Sequence, residues 1–254
     1  MSLIPASRPT LRPILGVIDS GISPGVAPRP GLARFHSPVG ADPEDRLGHG
    51  RAILATLRHY LPLPPREIAL YKLFEDRLTA DAAALAAAFE WHAEAPPAWL
   101  LCSLGLPRAD ARLWAAVARL RHAGTRIVAS SPRFGAPVYP AAWPGVIAVS
   151  GAAGLLPGPP RKSRDGRWCA CVWAAQETAT EGGGVWQPWQ MGPPPAGTPP
   201  PLGGASFAAA HALGYWLAAS VALGSASCGE ERRGLPERSV IIRDENAERP
   251  GKGS

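Results

Sequence analysis

The chain of 254 residues has no run rich in lysine and arginine, no Cys-x-x-Cys pair, and no apolar segment flanked by basic residues at its start. The first absence argues against nucleic acid as a partner. A formal charge of +6 invites that idea, but the arginines are scattered and no nucleic-acid-binding motif is present. The second absence removes the usual zinc spacings. Cys102, Cys169, Cys171 and Cys228 have no histidine at a ligand distance in sequence, and buried free thiols are expected. Cys169 and Cys171 lie two apart, so on a strand they would face the same side. The third absence leaves residues 1–13 without the pattern of a secretory signal.

What is present describes an ordinary globular domain. Charged residues make up 18% and apolar ones 46%, and the length suits one medium α/β domain able to bury a full core. The 28 glycines and 30 prolines collect in loops. The organisation expected is an N-terminal extension at 1–13, a domain at 14–224 and a polar tail at 225–254. Within the domain, short apolar runs alternate with helical periodicity. Strands are expected at 15–18, 68–74, 99–104, 127–130, 146–150 and 168–175. Helices are expected at 51–60, 79–92 (with Thr79 as the cap candidate) and 109–122, the last stopped by Gly124. Residues 23–47 read as a loop. Such alternation implies right-handed crossovers and a mostly parallel sheet with helices on both faces. Residues 205–224 are long and apolar enough to suggest a membrane span. Ser206, His211 and Ser220 interrupt them, and a helix buried inside the domain is preferred, with no membrane partner.

Three segments carry chemistry. Val17-Ile18-Asp19-Ser20-Gly21 reads as a buried strand ending in an acid at a tight turn. Gly48-His49-Gly50 opens a helical run. Gly204-Ala205-Ser206-Phe207-Ala208-Ala209-Ala210-His211 sets a serine at the start of another helix, where unpaired N–H groups and the positive end of the dipole face whatever the hydroxyl attacks. A hydroxyl needs a base to become nucleophilic, and a neutral imidazole oriented by a carboxylate supplies one near pH 7.

The ordered set Asp-Ser-Gly, His-Gly and Gly-Ala-Ser-Phe-Ala-Ala-Ala-His resembles the motifs of the subtilisin-like serine proteases. Ser103-Leu104-Gly105 is similar to that family's substrate-binding strand. Tyr139-Pro140-Ala141, running on to Gly145-Val146-Ile147-Ala148-Val149, is similar to a later strand. The resemblance covers residues 14–224. It implies a subtilisin-like three-layer α/β fold with Asp19, His49 and Ser206 as triad. It also implies that Ser103, Leu104 and Gly105 hold an extended peptide by backbone pairing. His211 is expected to be structural. No cofactor and no metal are implied, and the absence of a signal and of a pro-segment fits a calcium-free cytoplasmic protein.

The sequence departs from the family at the oxyanion hole. Where the family has an asparagine after the strand ending here at Ser130, this chain has Ser131-Pro132-Arg133-Phe134-Gly135, and its single asparagine is Asn246 in the tail. Ser131 and Arg133 are the candidate replacements. Arg51, Ala205 and Ala210 stand at other family positions, and the short loop between Gly135 and Tyr139 is expected to alter the primary specificity pocket. The Gly/Pro-rich stretch 181–203, with Trp186 and Trp189, either covers the groove or forms a surface loop with aromatic anchors. The latter is favoured.

The function expected is therefore serine endopeptidase action on a specific peptide or precursor protein. The alternative is a catalytically inactive domain of the same fold that binds a peptide or a partner protein.

Overall fold

A computed structural model describes residues 12–23, 31–175, 187–190, 196–197 and 200–226. In chain order the elements are β1 (Leu15–Asp19), β2 (Arg34–His36), α1 (His49–Arg58), β3 (Ile68–Lys72), α2 (Ala82–Glu94), β4 (Trp99–Cys102), α3 (Ala111–His122), β5 (Arg126–Ser130), β6 (Ile147–Ala152), β7 (Arg161–Lys162), β8 (Trp168–Cys171) and α4 (Ala205–Ala226). Eight strands form one sheet in the order β2-β3-β1-β4-β5-β6-β8-β7. All pairs are parallel except that of β7 with β8. Helices cover both faces, giving the three-layer α/β architecture expected. The extension and the tail lie outside the described residues, apart from residues 12–13 and 225–226.

The pleat decides which strand residues meet which helices. Leu15, Val17, Ile68, Leu70, Leu101 and Val128 pack with α1 and α4, whereas Ile18, Tyr71, Leu100, Cys102, Ile127 and Ala129 pack with α2 and α3. Continuing the alternation by one step places Asp19 and Ser103 on the α1–α4 side. β1 leads outward to β2 on one flank and β4 leads to β5 on the other, so their carboxyl ends open a crevice where they part.

One expectation needs correction. The connections β2-α1-β3, β3-α2-β4 and β4-α3-β5 all run in the same direction across the sheet. Yet α1 lies on the opposite face from α2 and α3. Its crossover therefore has the opposite hand to theirs, a departure from the near-universal right-handed rule. The departure has a use: it brings the start of α1 to the same side of the sheet as α4.

Other differences are local. Helix α2 starts at Ala82, because Asp81 rather than Thr79 caps it, its carboxylate accepting from Ala84 N at 2.8 Å. Asp110 does the same for α3 through Leu113 N at 2.8 Å. Residues 23–47 contain the short strand β2, and the run at 168–175 belongs to the sheet only as far as Cys171, beyond which Trp173 bridges antiparallel to Gly203. Helix α4 is long and apolar enough to cross a membrane. Its first turns lie inside the domain, with Phe207 to Leu213 buried against the sheet and α1, which accounts for their apolar character.

Candidate active site

Asp19 ends β1 fully buried, with its carboxylate among donors. Oδ1 accepts from Nδ1–H of His49 at 2.8 Å and from Ser20 N at 2.8 Å. Oδ2 accepts from the Ser103 hydroxyl at 2.5 Å. The Ser20 hydroxyl donates to Asp19 Oδ1 at 3.2 Å and accepts from Gly50 N at 2.9 Å, so it ties the turn after β1 to the start of α1. That approach is so close that a Cβ on Gly50 would stand 2.3 Å from the Gly21 carbonyl oxygen. Glycine after the histidine is thus a packing requirement.

His49 is the first residue of α1, with its side chain 16% exposed. Burial alone would lower its pKa. The hydrogen bond and charge of Asp19, joined by the charge of Asp45, outweigh burial and raise it above the ordinary histidine value. With Nδ1 donating to Asp19, Nε2 is the nitrogen left to act as base. Asp45 was not anticipated from sequence. Its Oδ1 accepts from Leu47 N and Gly48 N, both at 2.9 Å, and its Oδ2 accepts from Arg51 N at 2.7 Å. It caps the first turn of α1 from four residues upstream of His49. The acid standing just before Gly48-His49-Gly50 was the available signal.

Ser206 lies in the first turn of α4, so its N–H has no intrahelical partner. The ring of its neighbour Phe207 packs on His49 with centroids 5.3 Å apart, bringing the two helix starts together. The Ser206 hydroxyl donates to the Ser103 carbonyl at 2.7 Å. Having a single proton, it is not donating to His49 in this arrangement. Asp19, His49, Ser103 and Ser206 therefore share one crevice, joined through Asp19 on one side and the Ser103 carbonyl on the other.

The peptide-binding candidates Ser103, Leu104 and Gly105 follow β4 directly. Leu104 is half-buried and Gly105 is exposed. A Cβ on Gly105 would lie 2.6 Å from Val138 Cγ2, so this strand runs hard against the loop before Tyr139. Leu106 then pairs with Tyr139 through two 2.8 Å backbone hydrogen bonds. A pocket of about 360 Å³ opens beside it, its lining including Ser131, Pro132, Val138 and Arg167. A larger one of about 870 Å³, bordered by Arg12, Arg34, Arg66 and Glu94, sits at the amino ends of the strands, away from this crevice.

Of the two oxyanion candidates, Ser131 is buried and its hydroxyl makes a long 3.5 Å contact with the Pro132 carbonyl, while its N–H donates to Val149 O at 2.8 Å. Arg133 is exposed, with its guanidinium 5.4 Å from the ring centroid of the exposed Phe134.

His211 is buried on α4. Its Nε2 donates to the Trp173 carbonyl at 2.7 Å, so the neutral ring accepts at Nδ1 from the Tyr60 hydroxyl at 2.8 Å. Trp189 packs against His59 and His211 as an aromatic anchor, while residues 181–186, 191–195 and 198–199 of that stretch lie outside the described residues. Trp186 and Cys228 lie outside the described residues.

No family model and no curated protein matches the chain. Among solved structures, the prenylagaramide maturation protease PagA shares the fold, with a TM-score of 0.53 and 18% identity over 85% of this chain and 77% of that one.

Proposed function

We propose that the protein is a serine endopeptidase of subtilisin type that cleaves a specific peptide or precursor protein, with Asp19, His49 and Ser206 as its triad. The observation that carries this is the 2.8 Å hydrogen bond from His49 Nδ1 to the buried Asp19, set beside a serine at the start of a buried helix. A carboxylate on Nδ1 fixes the tautomer in which Nε2 takes the serine proton. The likeness in fold to a maturation protease supports a precursor as substrate.

In this reading an extended peptide pairs with the backbone of Ser103–Gly105. Ser206 Oγ attacks the scissile carbonyl as its proton passes to His49 Nε2. The tetrahedral oxyanion is met by the Ser206 N–H at the head of α4. Collapse breaks the C–N bond, and His49 returns the proton to the leaving amine. Water then attacks the acyl-enzyme with His49 again as base, releasing the acid and restoring the Ser206 hydroxyl.

A second reading is a catalytically silent domain that binds a peptide or a partner protein. The Ser206 proton resting on Ser103 and the missing asparagine favour it. Labelling with an alkyl fluorophosphonate separates the two. Covalent labelling of the native chain that disappears in Ser206→Ala supports the protease, and an unlabelled folded chain supports the silent domain.

A further inference from the structure

We infer that the backbone N–H of Arg133 is the second oxyanion donor, with Arg167 as the positioning residue that aims it. This rests on the protease reading above and fills the place left by the missing asparagine.

The inference starts from the carbonyl of Pro132. Ser131 is still paired to β6 through its N–H to Val149 O at 2.8 Å, and the chain turns immediately afterwards. The Pro132 carbonyl then receives Arg167 Nη1 at 3.2 Å and the Ser150 hydroxyl at 3.5 Å. Ser150 belongs to β6 and Arg167 directly precedes β8, so this carbonyl faces the β6–β8 flank of β5. The Pro132–Arg133 peptide is trans. In a planar trans peptide the carbonyl and the following N–H point in opposite directions. The Arg133 N–H therefore faces the other flank, that of β4, where Ser103 and Ser206 stand. Among the described residues it has no hydrogen-bond acceptor.

The guanidinium that meets the carbonyl is held in turn by a half-exposed ion pair. Arg167 Nε donates to Asp165 Oδ2 at 2.6 Å, and the Ser163 hydroxyl donates to the other oxygen of Asp165. A donor held this way needs no reorganisation as charge develops on the substrate oxygen, which is what makes an oxyanion hole effective. The residue type at 133 is then immaterial to the donor, provided that it carries an N–H. This explains how an arginine whose side chain lies over Phe134 can occupy the position.

The test compares variants by kcat and KM for hydrolysis of p-nitrophenyl butyrate and by the rate of fluorophosphonate labelling. Arg133→Ala keeps kcat within about 3-fold. Arg133→Pro, which deletes the N–H, lowers kcat by roughly 100- to 1,000-fold with KM little changed. Arg167→Met lowers kcat by about 10-fold, and Arg167→Lys restores most of it, a split that loss of packing alone would not give. Loss in Arg133→Ala equal to that in Arg133→Pro would overturn the inference in favour of the guanidinium. Full kcat in Arg133→Pro would remove residue 133 from the hole. If Arg133→Pro does not fold, the Arg167 pair decides: unchanged kcat in Arg167→Met overturns the inference. A native chain that never labels at Ser206 refutes the protease reading and this inference with it, whereas a labelled native chain leaves only the inference on trial.

Discussion

The hydroxyl of Ser206 donates to the backbone carbonyl of Ser103 at 2.7 Å, so the proton of the proposed nucleophile rests on the segment proposed to hold the substrate. A peptide N–H arriving at that carbonyl competes for the same oxygen lone pairs and frees the hydroxyl to turn toward His49. In the protease proposed above, substrate binding and activation of the serine are then one event. A peptidyl phosphonate with an amide N–H beside the phosphorus is expected to label Ser206 at least about 10-fold faster than an alkyl phosphonate with the same leaving group. Equal rates would show that the Ser103 carbonyl does not restrain the nucleophile.

In the proposed mechanism His49 works as a base only when neutral, and Asp19 raises its pKa above the ordinary value. Activity is therefore expected to rise with pH through a midpoint above about 6.5, the unperturbed histidine value. Asp19→Asn removes the charge and permits the wrong tautomer. It should lower kcat by roughly 10,000-fold and shift the midpoint of whatever activity remains to lower pH. A pH–rate profile of the two proteins checks both statements.

Gly50 meets Gly21 so closely that any side chain must displace the turn after β1 or the start of α1. Gly50→Ala is expected to cost about 1–3 kcal/mol of stability, as overpacking does, and to reduce activity further by moving His49. The urea midpoint reports the first effect. Fluorophosphonate labelling at a urea concentration where the variant is fully folded reports the second.

Much of this was legible in the sequence because the site sits where patterned elements end. Asp19 follows an apolar run and His49 and Ser206 open helical periodicities, so local pattern marked their places, while the family resemblance supplied their roles and singled out Ser103 within the run expected at 99–104. The fold class followed from the same alternation. What did not show were features set by tertiary geometry. The hand of the α1 crossover depends on which face of the sheet a helix chooses, and its periodicity is the same on either side. β2 is three residues in a proline-rich and charged stretch, too short for a period to register. Asp45 caps α1 from outside the helix, three residues before Gly48-His49-Gly50, and its position there was the one hint of it in the sequence. The two hydrogen bonds onto the Pro132 carbonyl from side chains 18 and 35 residues away are invisible in one dimension.

Two fully buried histidines remote from the crevice weaken the fold in acid, and the more exposed His59, whose pKa burial also lowers, acts in the same direction. His92 is fully buried between α2 and the sheet, and burial pushes its pKa down to about 3. His211 is fully buried on α4, and burial pushes its pKa down to about 4. Both are neutral in the folded chain and take up a proton on unfolding once the pH falls below about 6.5. Their contribution is intact above that pH and is lost steadily as the pH drops toward their folded values. His49 has the opposite sign: its raised pKa stabilises the fold below about 6.5 and is lost as the pH rises through its folded value. As the pH falls from about 6.5 to 4.5 His49 becomes protonated in both states and adds little slope, whereas the buried rings gain their protons on unfolding, so the urea midpoint should fall with acidity before the carboxylates begin to titrate. His92→Leu replaces a buried neutral ring with an apolar side chain and should flatten that slope by about one proton. A slope unchanged in His92→Leu would mean that His92 is not the group taking up the proton.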